Sequence, residues 1–164
     1  MCGARQQSSF RRLSGTHAAL VGKSTVTDLP ESAILDLIGK PFAYGGRGPD
    51  SFDCYGLLME LYRRKGVMLP DYRSPTRLHD IAAALADGLW RWTPIESRPG
   101  AAVTFRIKGY GAHVGLVLRH DRFIHTWEGT GGVCIERLSH WKQRVLGFYD
   151  FADLPHHDEP ARAD

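Results

Sequence analysis

The 164-residue sequence lacks the features that mark membrane, secreted and nucleic-acid-binding proteins. No apolar run approaches the roughly 18 residues of a transmembrane helix. The apolar stretch at residues 18–21 is too short for a secretory signal. The formal net charge is only +3, and no basic stripe interleaved with aromatic residues suggests nucleic-acid binding. We therefore expect a protein with no membrane span and no nucleic-acid partner.

Cysteine is scarce, and its distribution excludes two kinds of framework. Cys2, Cys54 and Cys134 are the three cysteines, an odd number with no close pair. A disulfide framework needs an even number of cysteines, and a zinc knuckle needs closely spaced ones, so neither is expected here. Free thiols in a reducing cytoplasm are the expected state.

The chain length fits a single domain, and its two ends differ in composition from the middle. Through residue 27 the chain carries basic residues and no acid, so the basic excess belongs to an N-terminal arm. We assign residues 1–28 to a basic disordered arm, 29–152 to the folded domain and 153–164 to a disordered tail. Residues 1–27 have two interpretations, a genuine part of the protein or an over-extended translation start, since the folded pattern begins near residue 28.

Helical patterns come first in the domain and strand patterns follow. Residues 28–39 predict a short helix, residues 54–65 a second helix ended by Gly66, and residues 74–88 a third. Five short β-branched and aromatic segments then predict an antiparallel meander at residues 102–107, 112–119, 122–128, 132–138 and 144–151. This order predicts an α+β domain in which N-terminal helices pack on a five-stranded sheet.

Cys54 lies at the predicted start of the second helix. The free N–H groups and the positive dipole end of a helix's first turn favour the thiolate, the form that acts as a nucleophile. Ser51 or Asp53 is the expected cap. A small thiol packed on a helix face remains the alternative interpretation.

A nucleophilic cysteine needs an imidazole base and a group that orients it. His113 and His125 stand on adjacent predicted strands, twelve residues apart. A two-residue turn between these strands would put the two side chains on opposite faces of the sheet. A three-residue loop at residues 119–121 would instead place His125 opposite Gly115, with His113 diagonally beside it. The catalytic hypothesis therefore requires the three-residue loop.

Zinc is a second possibility for the same residues. Cys54, His113 and His125 could bind the ion with a water in the fourth position, but zinc ligands usually include two that are close in sequence. We therefore expect no metal and no organic cofactor, because a thiol and an imidazole supply both the nucleophile and the acid–base catalyst.

Five motifs in order resemble the NlpC family of papain-like cysteine peptidases, which cut bacterial cell-wall peptides. The resemblance covers about residues 30–150. The matching residues are Tyr44, Gly45 and Gly46; Asp53, Cys54, Gly56 and Leu57; Pro99 and Gly100; His113, Val114 and Gly115; and His125.

The resemblance implies a catalytic role for three residues. Cys54 would be the nucleophile, His113 the base and His125 the residue that orients the imidazole. The backbone N–H of Cys54 at the helix start is a natural oxyanion donor.

The resemblance and the predicted register also suggest a substrate site. Tyr44 would border the oxyanion site, and Asp53 would help to shape the pocket. Tyr55 stands where the family usually has a small residue, which predicts a narrowed or altered site. Trp127 would lie opposite His113 in the three-residue-loop register.

The implied substrate is the stem peptide of peptidoglycan, typically cut between D-glutamate and a diamino acid. The sequence, with YGGRGPDSFDCYGL and no recognisable signal peptide or wall-binding module, resembles the family's phage tail-assembly branch. This resemblance implies synthesis in the host cytoplasm, a place in the virion tail and contacts with other tail proteins. Two alternatives remain: a structural tail protein that keeps the fold without the chemistry, and an amidase or acyltransferase on a related fold.

Overall fold

A computed structural model describes residues 24–71, 83, 86, 91–108 and 110–152. The elements in chain order are helix α1 (Cys54–Arg64) and strands β1 (Trp92–Ile95), β2 (Ala102–Ile107), β3 (Tyr110–Leu118), β4 (Arg122–His125), β5 (Cys134–Arg137) and β6 (Val145–Phe151). Short 3-10 helices occur at Glu31–Ala33, Leu35–Leu37, Glu128–Thr130 and Leu138–Arg144. The α+β fold class is confirmed.

Within the part of the chain that the structure describes, the sheet has six antiparallel strands in the order β1-β6-β2-β3-β4-β5. The prediction of a five-stranded meander is therefore wrong in two respects. Only β2 to β5 form a meander, since β6 returns to pair with β2. Strand β1 was missed because it contains Pro94, which argues against a strand by its lack of an N–H. Proline is tolerated there because β1 is an edge strand.

Helix α1 follows the prediction closely. The Asp53 side chain caps it by accepting a hydrogen bond from the Gly56 N–H, and the apolar face of the helix is buried. The short helix predicted at residues 28–39 forms as two 3-10 turns instead, because Ile34 leaves the helical region between them. The helix predicted at residues 74–88 lies outside the described residues except for Ala83 and Ala86, which are helical.

Two apolar clusters use the alternating side chains of the strands. In the first cluster, Leu57, Leu58 and Leu61 of α1 pack with even-numbered strand residues such as Val114 and Leu116. The second cluster uses residues of the other parity, such as Val103, Val117 and Phe123, and is covered by Trp141. The sheet therefore presents one face to the helix and the other to an aromatic cluster.

Among the described residues, Thr25 is tied to the sheet, within the segment that the sequence analysis assigns to the arm. The Thr25 side chain is buried, its backbone N–H donates to Asp150 Oδ1 at 2.9 Å, and its hydroxyl donates to the Phe151 carbonyl at 3.0 Å. The last residues before position 28 are thus tied to β6.

Among the residues that the structure describes, no helix combines the length and the apolar character that crossing a bilayer requires.

Candidate active site

The β3–β4 connection is the three-residue loop that the catalytic hypothesis requires. Leu118 pairs with Arg122 and Leu116 with Ile124, which leaves residues 119–121 as the loop. His120 and Asp121 take positive φ angles of 58° and 57° in this tight reversal. The predicted register is confirmed, and it brings His125 across from Gly115.

His113 and His125 lie in direct contact inside the protein. His113 Nε2 is 2.8 Å from His125 Nδ1, and the two side chains are almost completely buried. This pair occupies one edge of the His113 ring, so Nδ1 is the ring nitrogen that remains for other chemistry.

Aromatic side chains surround the histidine pair. The Phe105 and Trp141 ring centroids lie 5.5 Å and 5.7 Å from that of His113, and Phe123 lies 4.4 Å from His125. Burial in this apolar setting lowers the pKa of His113, and the neighbouring His125 lowers it further. Burial also lowers the pKa of His125, against the opposing effect of Glu136. Both imidazoles are therefore neutral near pH 7.

The outer nitrogen of His125 contacts two side chains of β5. Glu136 Oε2 lies 2.6 Å from His125 Nε2, and Cys134 Sγ lies 3.5 Å from the same nitrogen. The donor atoms of His125, Cys134 and Glu136 lie within 4.8 Å of one another, a different set from the zinc ligands considered on sequence grounds. Nitrogen and oxygen ligands of one tetrahedral zinc ion lie about 3.3 Å apart. The 2.6 Å contact fits a hydrogen bond better than a pair of metal ligands.

Cys54 starts α1 and lies against β3. The backbone N–H of Val114, next to His113 in sequence, lies close enough to the sulfur to stabilise its thiolate. Desolvation and, second to it, the Asp53 carboxylate nevertheless raise the pKa of Cys54 to about 12. The backbone N–H groups of Cys54 and Tyr55 at the helix start do favour the thiolate, as expected, but burial and Asp53 outweigh them.

Asp53 joins the loop before α1 to the helix itself. Its two carboxylate oxygens accept from the backbone N–H groups of Gly45 (3.0 Å) and Gly56 (2.6 Å), and from Arg47 Nη1 (2.8 Å). A β-carbon at Gly56 would lie 1.9 Å from the Gly46 carbonyl oxygen, so only glycine permits this close approach. Asp53 thereby fixes the position of the backbone around Cys54.

Tyr44 lies at the surface beside Cys54. Its hydroxyl donates to Glu128 Oε2 at 2.9 Å, and its side chain is partly exposed. Burial raises the pKa of Tyr44, with further contributions from Glu128 and from the charge that Cys54 would carry. The structure thus brings Tyr44 into electrostatic range of the candidate nucleophile.

The two remaining residues of the predicted substrate site differ in their placement. The Trp127 ring centroid lies 6.1 Å from that of His113, as expected from the register. The Tyr55 side chain is buried in the helix-side core instead, and its hydroxyl donates to the Pro70 carbonyl at 2.7 Å.

Sequence reasoning missed Glu136 and Trp141. Glu136 pairs with Phe123 on β4, so the register of the β4–β5 pair would have placed it near His125. Trp141 lies in the 3-10 helix Leu138–Arg144, and no pattern in the sequence indicates that it covers the histidines.

A cysteine at a helix start that lies against a strand carrying one histidine, with a second histidine in contact with the first, defines the papain-like class of fold. Within that class, the chain belongs to the NlpC/P60 family, whose model matches residues 39–150. The match includes every residue of the candidate site described above.

Similar proteins support the same fold. The probable endopeptidase p60 of Listeria seeligeri is 28% identical over 118 residues, covering 68% of this chain and 20% of that protein. An NLP/P60-family structure similar to a lipoprotein from Staphylococcus aureus is 23% identical, with a TM-score of 0.56 over 78% of this chain and 44% of that one. The peptidoglycan hydrolase RipB from Mycobacterium tuberculosis is 22% identical, with a TM-score of 0.51 over 73% of this chain and 62% of that one. The chain spans about a fifth of the length of the curated relatives it matches.

Proposed function

We propose that this chain is a cysteine endopeptidase that hydrolyses an amide bond in the peptidoglycan stem peptide, between D-glutamate and a diamino acid. The observation that carries the proposal is the buried His113–His125 pair, whose ring nitrogens lie 2.8 Å apart. His113 lies on β3, and the backbone amide of the next residue, Val114, contacts the Cys54 thiol. The names of the relatives, an endopeptidase and a peptidoglycan hydrolase, support the substrate class.

The reaction begins from a neutral thiol and a neutral imidazole, because burial raises the pKa of Cys54 and lowers that of His113. His113 Nδ1 takes the thiol proton as the sulfur attacks the amide carbonyl carbon. The carbonyl oxygen gains negative charge, which the Cys54 backbone N–H stabilises. The C–N bond then breaks, His113 protonates the leaving amine, and water hydrolyses the resulting thioester.

The surrounding residues have distinct roles in this proposal. His125 orients the His113 ring, and Asp53 holds the backbone around Cys54 through its three hydrogen bonds. Tyr44 and Trp127 border the reacting groups and contact the substrate. Tyr55 affects the site indirectly, through its packing in the helix-side core, where its hydroxyl donates to the Pro70 carbonyl.

We further propose that the enzyme belongs to a phage or prophage, is made in the host cytoplasm and is carried in the tail with other tail proteins. The motif resemblance YGGRGPDSFDCYGL supports this placement. Mass spectrometry of particles induced from the encoding bacterium tests it: peptides of this chain in purified tails support the placement, and their absence from complete particles contradicts it.

Digestion of purified peptidoglycan, with the products resolved by mass spectrometry, tests the activity. We expect fragments cut within the stem peptide from the wild-type protein and from Cys134→Ser, and none from Cys54→Ala. Cleavage between sugar and stem would identify an amidase instead. No product from folded wild-type protein, alone or with tail proteins, would favour a structural role.

A further inference from the structure

We propose that Glu136 is a positioning residue that sets the direction of the hydrogen bonds through the histidine pair and so leaves Nδ1 of His113 free to accept a proton. The inference deepens the proposed peptidase function and rests on it for its catalytic consequence. Its structural part stands on the chain of contacts from Glu136 to His125 at 2.6 Å and from His125 to His113 at 2.8 Å.

The direction of this chain follows from the chemistry of its outer end. An ionised carboxylate only accepts hydrogen bonds, so the proton in the 2.6 Å contact belongs to His125 Nε2. A neutral imidazole carries one N–H, which leaves His125 Nδ1 with a lone pair. That lone pair accepts from His113 Nε2–H, and His113 Nδ1 in turn keeps its lone pair.

The opposite direction has the same heavy-atom geometry and would disable the base. In that arrangement His125 Nδ1–H donates to His113 Nε2, and His113 Nδ1 carries a proton. His113 could then no longer accept the thiol proton of Cys54. Position alone does not select between the two directions, whereas a carboxylate at the outer end, which only accepts, selects one.

Cys134 is the other described side chain in contact with His125 Nε2, and it favours the wrong direction. Its sulfur lies 3.5 Å from this nitrogen. A thiol that donates to Nε2 makes Nε2 an acceptor and moves the His125 proton to Nδ1. The charged carboxylate at 2.6 Å forms the stronger hydrogen bond and prevails over the thiol.

The position of Glu136 suits this role. It extends from β5 beside β4, where His125 pairs with Cys134 and Phe123 pairs with Glu136. The His125 side chain is completely buried, while the Glu136 side chain is 38% exposed. The carboxylate thus lies at the solvent-facing end of the chain of contacts, and the histidines lie at its buried end.

The first test is the tautomeric state, read from the ring ¹⁵N shifts of labelled histidine by NMR, with His113→Gln and His125→Gln used for assignment. We expect both residues as Nε2–H tautomers in the wild-type protein. Glu136→Ala should move both to Nδ1–H, and Glu136→Gln, whose amide can donate or accept, should give a mixture. An Nδ1–H tautomer of His113 in the wild type, or no change in Glu136→Ala, would overturn the inference.

The second test is turnover. We expect Glu136→Ala to lower kcat about a hundredfold with KM little changed. Acetate should restore part of kcat, because the partly exposed site admits a small carboxylate. Arg137→Gln, an exposed neighbour on the same strand, is the control and should retain full kcat. Full kcat in folded Glu136→Ala would overturn the catalytic role.

The two tests separate this inference from the proposed function. The NMR measurement does not depend on substrate, so an inactive wild-type protein with the predicted tautomers would contradict the peptidase and leave the role of Glu136 in the hydrogen-bond direction standing.

Discussion

His125 lies across from Gly115 in the β3–β4 hairpin, and a β-carbon at position 115 would lie 3.3 Å from the β-carbon of His125. The missing side chain leaves the space in which the His125 ring reaches His113. The three-residue loop sets this register, because a two-residue turn would move the His125 side chain to the other face of the sheet. One glycine and one loop length thus create the histidine pair.

Gly115→Ala should therefore damage the site more than the fold. The added methyl group would lie 2.9 Å from the Ile124 carbonyl oxygen and would push β4 and His125 away from His113. We expect kcat to fall at least about tenfold and the free energy of unfolding to fall by about 1–3 kcal/mol. Peptidoglycan digestion rates and denaturant unfolding measure the two effects.

Gly147→Ala is the matched control, since it is also a strand glycine. Its nearest contact is the Tyr149 hydroxyl, the movable end of a side chain. We expect nearly normal kcat. Equal losses of kcat in both variants would show that the loss comes from adding a methyl group to any strand glycine and not from displacing His125.

The resting state of Cys54 gives a prediction about pH. Because its pKa is raised to about 12, the thiolate fraction should increase tenfold per pH unit through the neutral range. In a protein with Cys2→Ser and Cys134→Ser, the rate of iodoacetamide alkylation should rise without a plateau from pH 6 to pH 10. A plateau near neutral pH would instead indicate a thiolate–imidazolium pair in the free protein.

Asp53→Asn should make the same thiol more reactive. Removing the carboxylate charge removes one cause of the raised pKa of Cys54, so alkylation at pH 8 should be faster. One amide oxygen cannot replace two carboxylate oxygens that accept from Gly45 and Gly56, so we also expect a stability loss of about 1–2 kcal/mol. Asp50→Asn, an exposed neighbour, should change neither quantity. Slower alkylation in folded Asp53→Asn would contradict this account.

Sequence patterns sufficed where one local rule decides the structure. The start of α1 and its buried leucines follow from residue type and spacing, whereas spacing alone left the cap open between Ser51 and Asp53 and the hairpin loop open between two and three residues. The pKa of Cys54 could not be obtained in this way, because it depends on how deeply the tertiary fold buries the helix start. The return of β6 to β2 and the approach of Glu136 to His125 likewise join distant segments, which no periodic pattern encodes.

Lys65 should make the stability of the domain depend on alkaline pH. Burial lowers the pKa of Lys65 to about 8, although Asp150 opposes the shift, and its ammonium donates to the Gly100 carbonyl at 3.1 Å. Between about pH 8 and pH 10.5 the unfolded chain holds this proton and the folded protein does not. Stability therefore rises with pH across this window, by about 1–2 kcal/mol after allowance for solvent screening.

Lys65→Met retains the apolar stem and removes the titration, so it should lack this rise. Urea unfolding at pH 7, 8, 9 and 10 measures the free energy of unfolding of the wild type and the variant. The titration of all other groups cancels in the difference between the two. We expect the variant's stability relative to wild type to be highest at pH 7 and to decline toward pH 10. Lys142→Met, at an exposed lysine, should show a constant difference. A constant difference for Lys65→Met as well would mean that the folded protein holds the Lys65 proton as tightly as the unfolded chain does.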